Sequence, residues 1–319
     1  MKSLNIRTVV TFAIILLTLS PGCKGPRGEG WTTTKIADGI TYYTFSGIDK
    51  VSGSAQQVFV IDQDLNNPKY ELRFNCSDKR EPTSDVYLRT PGCVAAMNAT
   101  YESTSVVIKT NGEYYTCMPY DFVFTSNIPN WKSEGAICVE NGRNVSITFD
   151  GKGKSIEERR AFYASSTHNN IFSSAPMLID DFDPVGERFV DPKYGQEDFD
   201  KLQYEDPIRH QGVRHPRSAV ALTKDNHLLL VAVDGRRPAV SEGMSARELT
   251  RFLVEYFHPQ YALNMDGGGS TTLCVRGQGD PETNVVNYPI DNEKYDHAGV
   301  RNVRTHFLVV ETGNIPKKQ

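Results

Sequence analysis

HLLLVAVDGRRPAVSEGMSARELTRFLVEYFHPQYALNMDGGGSTT, residues 227–272, carries the pattern that decides the fold. Leu228 to Val233 is an unbroken apolar run of strand length, the mark of a strand buried on both faces. Ser245 with Glu248 three residues on is a capping box, and Leu249, Phe252, Leu253, Tyr256 and Phe257 then fall on one helical face. Pro259 marks the end of that helix, and Tyr261 to Met265 follows as a short buried strand. Strand, helix, strand is the order of a right-handed crossover between parallel strands. The expected class is therefore α+β: a strand-rich mixed sheet with packed helices, including this crossover over residues 227–266.

Parallel strands end on the same edge of a sheet, the edge where open sheets bind ligands. Asp234 and Asp266 each come just after a strand, and each precedes a glycine that lets the chain turn sharply. Two carboxylates on one edge can divide the breaking of a glycosidic bond, one protonating the leaving oxygen and the other attacking carbon or activating water. A like charge nearby would raise the pKa of the acid. The alternative is that both aspartates only cap their turns, as Asp before Gly often does. Gly267, Gly268 and Gly269, followed by Ser270 and Thr271, form a loop whose amides and hydroxyls can converge on an anion. The lysine of a nucleotide loop is absent after these glycines. Arg217, opening the strand before the turn at Lys224 to Asn226, and Arg236, two residues after Asp234, are the cations expected to hold a phosphodiester.

The rest of the chain sets the frame. Its 319 residues suffice for a sizeable core, and a net charge of -4 supplies no basic field for a phosphate polymer, so no nucleic-acid partner is expected. Lys2 and Arg7 precede an apolar run, Val9 to Leu19, too short to span a bilayer. It ends in Ser20, Pro21, Gly22 and Cys23, which resembles a bacterial lipoprotein processing site. The expectation is an exported protein whose leader, 1–23, is processed and whose Cys23 carries a lipid anchor in the bacterial envelope, on the periplasmic face or the cell surface. A plain signal peptide and an uncleaved anchor are the alternatives. Cys76, Cys93, Cys117, Cys138 and Cys274 then remain, an odd number to which no pairing is assigned.

A linker is expected over 24–35, a strand-rich N-terminal part over 36–150 and a catalytic core part over 151–319, together forming one domain. Runs such as Ile40 to Phe45, Gln57 to Ile61 and Tyr70 to Asn75 read as strands, with Asn111 and Gly112 at a hairpin turn. Residues 180–215 are rich in Asp, Pro, Gly, Glu and Tyr without periodicity. They read as a polar insertion, either a lid over a cleft or a solvated loop.

HPRSAVAL, VAVDGRRPAVSEGMSARELTRFL and ALNMDGGGSTTL resemble the phosphodiester glycosidase family. SSAPMLID near Pro176, VVNYP around Asn287 and AAMNATY around Asn98 extend the likeness over most of the mature chain. The resemblance implies that Asn98, Arg217, Asp234, Asn264, Asp266 and the glycine loop line one cleft, with Glu242 a third candidate carboxylate. Ala99 and Thr100 stand where the family has glycines, and Thr305 where it has Asn. The activity implied is hydrolysis of a sugar 1-phosphodiester, of the N-acetylglucosamine-1-phospho-sugar type, to free sugar and a phosphomonoester. Two readings compete: an envelope lipoprotein that binds sugar phosphates without cleaving them, and a phosphodiesterase assisted by a divalent cation, Ca or Mg, on the Asp and Asn oxygens.

Overall fold

The computed structural model describes residues 25–102, 105, 107–117, 131–132, 134–149 and 155–313. The leader and Cys23 lie outside the described residues.

The largest sheet has seven strands, in the order Trp31–Ala37, Ile40–Asp49, Ser54–Asp64, His227–Val233, Arg217–Leu222, Tyr261–Asn264 and Met177–Ile179. Period-two alternation explains its place in the molecule. Leu228, Leu230 and Ala232 face a core shared with Met97, Phe307 and Phe172 of the two smaller sheets. Leu229, Val231 and Val233 face the opposite way, onto Leu249, Phe252 and Leu253 of the helix Ala246–Phe257. The sheet is thus buried on both faces, as its apolar runs predict.

A four-stranded sheet, in the order Leu273–Val275, Cys93–Asn98, Asn302–Glu311 and Tyr70–Pro82, packs across that shared core. A five-stranded sheet, Glu113–Cys117, Val107–Thr110, Asn170–Ser174, Gly135–Glu140 and Asn144–Thr148, closes the layer beside it. Asn111 and Gly112 turn its first hairpin with φ of 52° and 85°.

The α+β, strand-rich architecture is as expected, but the crossover differs in one respect. His227–Val233 and Tyr261–Asn264 do run parallel, yet they are not neighbours. Arg217–Leu222 lies between them and pairs antiparallel with both, so that Leu230, Val220 and Leu263 form one row. The two strand ends consequently lie on one edge but are held apart by a whole strand. The stretch 24–35, read as a linker, also contributes more than a tether. Trp31 opens the edge strand and packs its ring on Phe45, Phe252, Tyr256 and Phe257.

The helix between the parallel strands begins as predicted, with Ser245 Oγ accepting from the Glu248 amide and Glu248 accepting from the Ser245 amide. It stops at Phe257, where His258 takes a left-handed φ of 48° ahead of Pro259. Ser245→Ala removes the acceptor of the Glu248 amide and should lower stability by about 1 kcal/mol without shifting the fold, measured by urea unfolding with an unchanged m-value.

Candidate active site

Asp266 leaves the seven-stranded sheet on an amide bonded to Ala99 O, and its carbonyl is held by Asn98 Nδ2 at 2.6 Å. Asn98 Oδ1 accepts from Ser218 Oγ and from the Thr272 amide, each at 3.0 Å. One amide side chain therefore clamps both flanks of the glycine loop and the strand beside it. Asn98 is 1% exposed, so the predicted binding residue acts here as a strut beneath the site. Ala99 and Thr100 are buried next to it, and Thr305 Oγ1 donates to Thr100 O, so two departures from the family pattern meet in the core.

The loop itself is tightly seated. The Gly268 amide donates to Pro216 O, and a Cβ on Gly267 would stand 2.6 Å from that same carbonyl. A Cβ on Gly269 would collide with Asp291 and Arg301, which form a two-point ion pair against the loop. The expected cradle of amides is narrower than its sequence suggests. The amides of Gly268, Ser270, Thr271 and Thr272 are spent on Pro216 O, Gly267 O, Gly268 O and Asn98 Oδ1. Those of Gly267 and Gly269 have no partner among the described residues. Ser270 is close enough to the Asp266 carboxyl to favour its charged form, while Thr271 is buried.

Above the loop lies a cavity of about 170 Å³ that opens into a wider one along Glu102, Ser270 and Asn302. Asp266 and Arg301 line both, and Arg236 and His215 close one side of the smaller. Lys132 closes the other side, with its Nζ on Glu205 Oε2 at 2.9 Å and over the Tyr101 ring. Burial pushes the Asp266 carboxyl up to about 6; Ser270, Lys132 and Arg301 oppose the rise and Glu102 adds to it.

Asp234 is placed differently from the expectation. It ends its strand with the parity of Leu230 and Ala232, so its side chain points into the layer between the sheets and is 2% exposed. Its oxygens accept from Asn287 Nδ2 at 3.1 Å and from the Tyr288 amide at 3.0 Å, and it does not line the Asp266 cavity. Its carboxyl rises to about 7 through burial, against the pull of those two donors, and not through repulsion from Asp266. Asn287 also donates to Thr271 O at 2.9 Å, which ties Asp234 to the back of the glycine loop.

The other predicted residues divide in the same way. Arg236 lies exposed at the rim of the cleft. Arg217 reaches the cleft wall, but the residue is 1% exposed and its guanidinium is spent on Met244 O, Gln211 Oε1, His210 O and Val213 O. It fixes the insertion to the sheet, with little left for a phosphate. Asn264 is buried behind Tyr101, donating to Tyr101 Oη and Ala175 O at 2.9 Å. Glu242 lies in a separate depression, ion-paired to Arg214, which also holds Glu248.

Several lining groups had no signal in the sequence reading. Tyr204, Glu205, His210 and His215 come from the 180–215 stretch. It folds into short helices, Gln196–Phe199 and Pro207–Gly212 among them, and forms a wall of the cleft. His215, the first residue of HPRSAVAL, was the one within reach. Among the described residues no three of His, Cys, Asp and Glu stand together, and Lys132 and Arg301 flank the one predicted carboxylate that opens on the cleft.

Residues 91–310 match the model of the phosphodiester glycosidase family. The chain belongs to that family. The zebrafish N-acetylglucosamine-1-phosphodiester alpha-N-acetylglucosaminidase catalytic domain, in a structure described as auto-inhibited by its pro-peptide, is similar at a TM-score of 0.56. It is 16% identical, over 91% of this chain and 87% of that one. A hypothetical protein from Synechocystis matches at a TM-score of 0.55 and 15% identity, over 89% of this chain and 64% of its own length. At such identities the likeness establishes the fold alone. No curated protein matches the chain in sequence.

In this phosphodiester glycosidase domain, Asp234 couples stability to pH. Its folded carboxyl keeps a proton to about pH 7, whereas an ordinary aspartate ionises near 4. The stability of the neutral buried form is full below about pH 4 and is lost as pH rises through 7. Asp234→Asn should match the native melting temperature at pH 4 and exceed it at pH 8, by about 2–4 °C for each kcal/mol relieved. Equal melting curves at pH 8 would contradict the buried, proton-holding carboxyl.

Proposed function

We propose that the cleft hydrolyses a sugar 1-phosphodiester, of the N-acetylglucosamine-1-phospho-sugar type, to free sugar and a phosphomonoester. The observation that carries this reading is the setting of Asp266: a half-buried carboxyl with a raised pKa facing a cavity rimmed by Arg236, Arg301 and Lys132. Family membership supports the reaction class, and the sugar proposed is the one named for the similarly folded zebrafish protein.

The chemistry follows from the leaving group. A phosphate monoester takes its second ionisation near pH 6, so it departs as a stable anion once cations hold its charge. Arg236 and Arg301 are placed to do that, and strong protonation of the leaving oxygen is not required. What the reaction lacks is a nucleophile. Asp266 supplies it in the carboxylate form, by attacking the anomeric carbon or by taking the proton of an attacking water. In the second case the water oxygen bonds the anomeric carbon and the carbon–oxygen bond to phosphate breaks. Its electron pair leaves on the phosphate, and the water proton passes through Asp266 to solvent. Both routes need the ionised carboxyl, so kcat should rise with pH through about 6.

The decisive assay offers N-acetylglucosamine 1-phosphodiesters of a second sugar and measures free N-acetylglucosamine. Asp266→Asn should lower kcat about 10²–10⁴-fold with the fold intact. In ¹⁸O water the label should enter the sugar; label in the phosphate would replace this reading with a phosphodiesterase.

We further propose, from residues 1–23, that the protein is exported and anchored to the bacterial envelope through acylated Cys23. Cys23→Ser should move the protein from the membrane to the soluble fraction. Unchanged membrane association would argue for an uncleaved anchor instead.

A further inference from the structure

We propose that His215 is a fixed, neutral hydrogen-bond donor whose Nε2–H receives a phosphoryl oxygen of the substrate. The proposal rests on reading the cleft as a phosphodiester site. It begins with a tautomer. Arg236 Nε and Nη2 lie 3.2 and 3.1 Å from His215 Nδ1. A guanidinium has donors and no acceptor, so Nδ1 must accept and the ring's single proton must sit on Nε2. Nε2 is buried and has no partner among the described residues, while the ring lines the cavity over Asp266 and the glycine loop. A buried donor left unmatched costs stability unless a ligand meets it.

The backbone around the ring is locked, which makes the donor a built feature. The His215 and Met244 amides and carbonyls pair with each other, and Pro216 follows directly. A Cβ on Gly235 would stand 2.6 Å from Pro216 N, and one on Gly243 would collide with His215 O. Both glycines are therefore needed for the chain to pass this close.

The groups facing the ring explain why it stays neutral. Arg209 and His210 face it from Pro207–Gly212, Arg217 from its strand and Arg236 from the loop after Val233. Glu242 and Glu248 line the depression on its far side, their charges already matched to Arg214. Burial first, and then Arg217, Arg236 and Arg209, hold the imidazolium down to about 2. His215 consequently binds anions over the whole working pH range but cannot serve as the proton source. The pH limb of the reaction then belongs to Asp266 alone.

Three substitutions separate the donor from a mere support for Arg236. Gln places an amide N–H near the Nε2 position, Asn places its amide near Nδ1, and Phe keeps the ring without either. His215→Gln should keep kcat/KM within about tenfold of the native enzyme, whereas His215→Asn and His215→Phe should lose about 10- to 100-fold. Two-bond ¹H–¹⁵N spectra of the native protein should show the Nε2–H tautomer at pH 5 and at pH 8. Inorganic phosphate should shift the Nε2 resonance. A ring that titrates between pH 5 and 8, an Nδ1–H tautomer, an Nε2 unmoved by phosphate, or full activity in His215→Asn would each overturn the proposal. Should the native protein release no sugar, the glycosidase reading fails, and the tautomer and phosphate shift still decide the role of His215.

Discussion

Three hydrogen bonds on the Asn98 side chain hold the place where the chain passes from the seven-stranded sheet to the four-stranded one. Asn98 belongs to Cys93–Asn98, Ser218 to the strand beside Tyr261–Asn264, and Asp266 and Thr272 bracket the glycine loop between the sheets. Two of these bonds are buried and the third partly so, where an unmatched polar group costs about 1–3 kcal/mol, and the three hold one another in a single arrangement. The position of Asp266 over the cleft is a consequence of that clamp. The glycines matter through what they exclude: side chains at Gly267 or Gly269 would meet Pro216, Asp291 or Arg301 and push the loop off its seat.

Around this fixed point the two strand-end aspartates divide their labour by depth. Asp266 opens on a cleft with cations on its rim, while Asp234 sits beneath, bonded through Asn287 to the carbonyl of Thr271. Both carboxyls are raised by burial. The intervening strand keeps them from acting as a like-charged pair, so what joins them is the hydrogen-bonded support of one loop.

The strand-helix-strand pattern and both strand ends were legible because their signals are local: an apolar run, a capping box, a helix stop and Asp before Gly. What escaped was the partner of each strand. That Arg217–Leu222 slips between the parallel pair depends on contacts far apart in sequence, which no local period records. The direction of Arg217 was within reach, because it shares the parity of Ala219 and Ala221 and so points with them toward the helix layer. The cleft wall from 180–215 was not. Its short helices are held by tertiary bonds, such as Arg247 to the carbonyls of Glu187 and Val190, and not by a period of their own.

The strand Asn302–Glu311 lies between Cys93–Asn98 and Tyr70–Pro82, although both are made some two hundred residues earlier. A chain emerging from its amino end therefore has no means of closing the four-stranded sheet until nearly all of it is available. Until then both older strands present open edges, which pair readily with strangers. The architecture thus ties closure of the four-stranded sheet, in which Asn98 ends a strand, to the arrival of the carboxyl end.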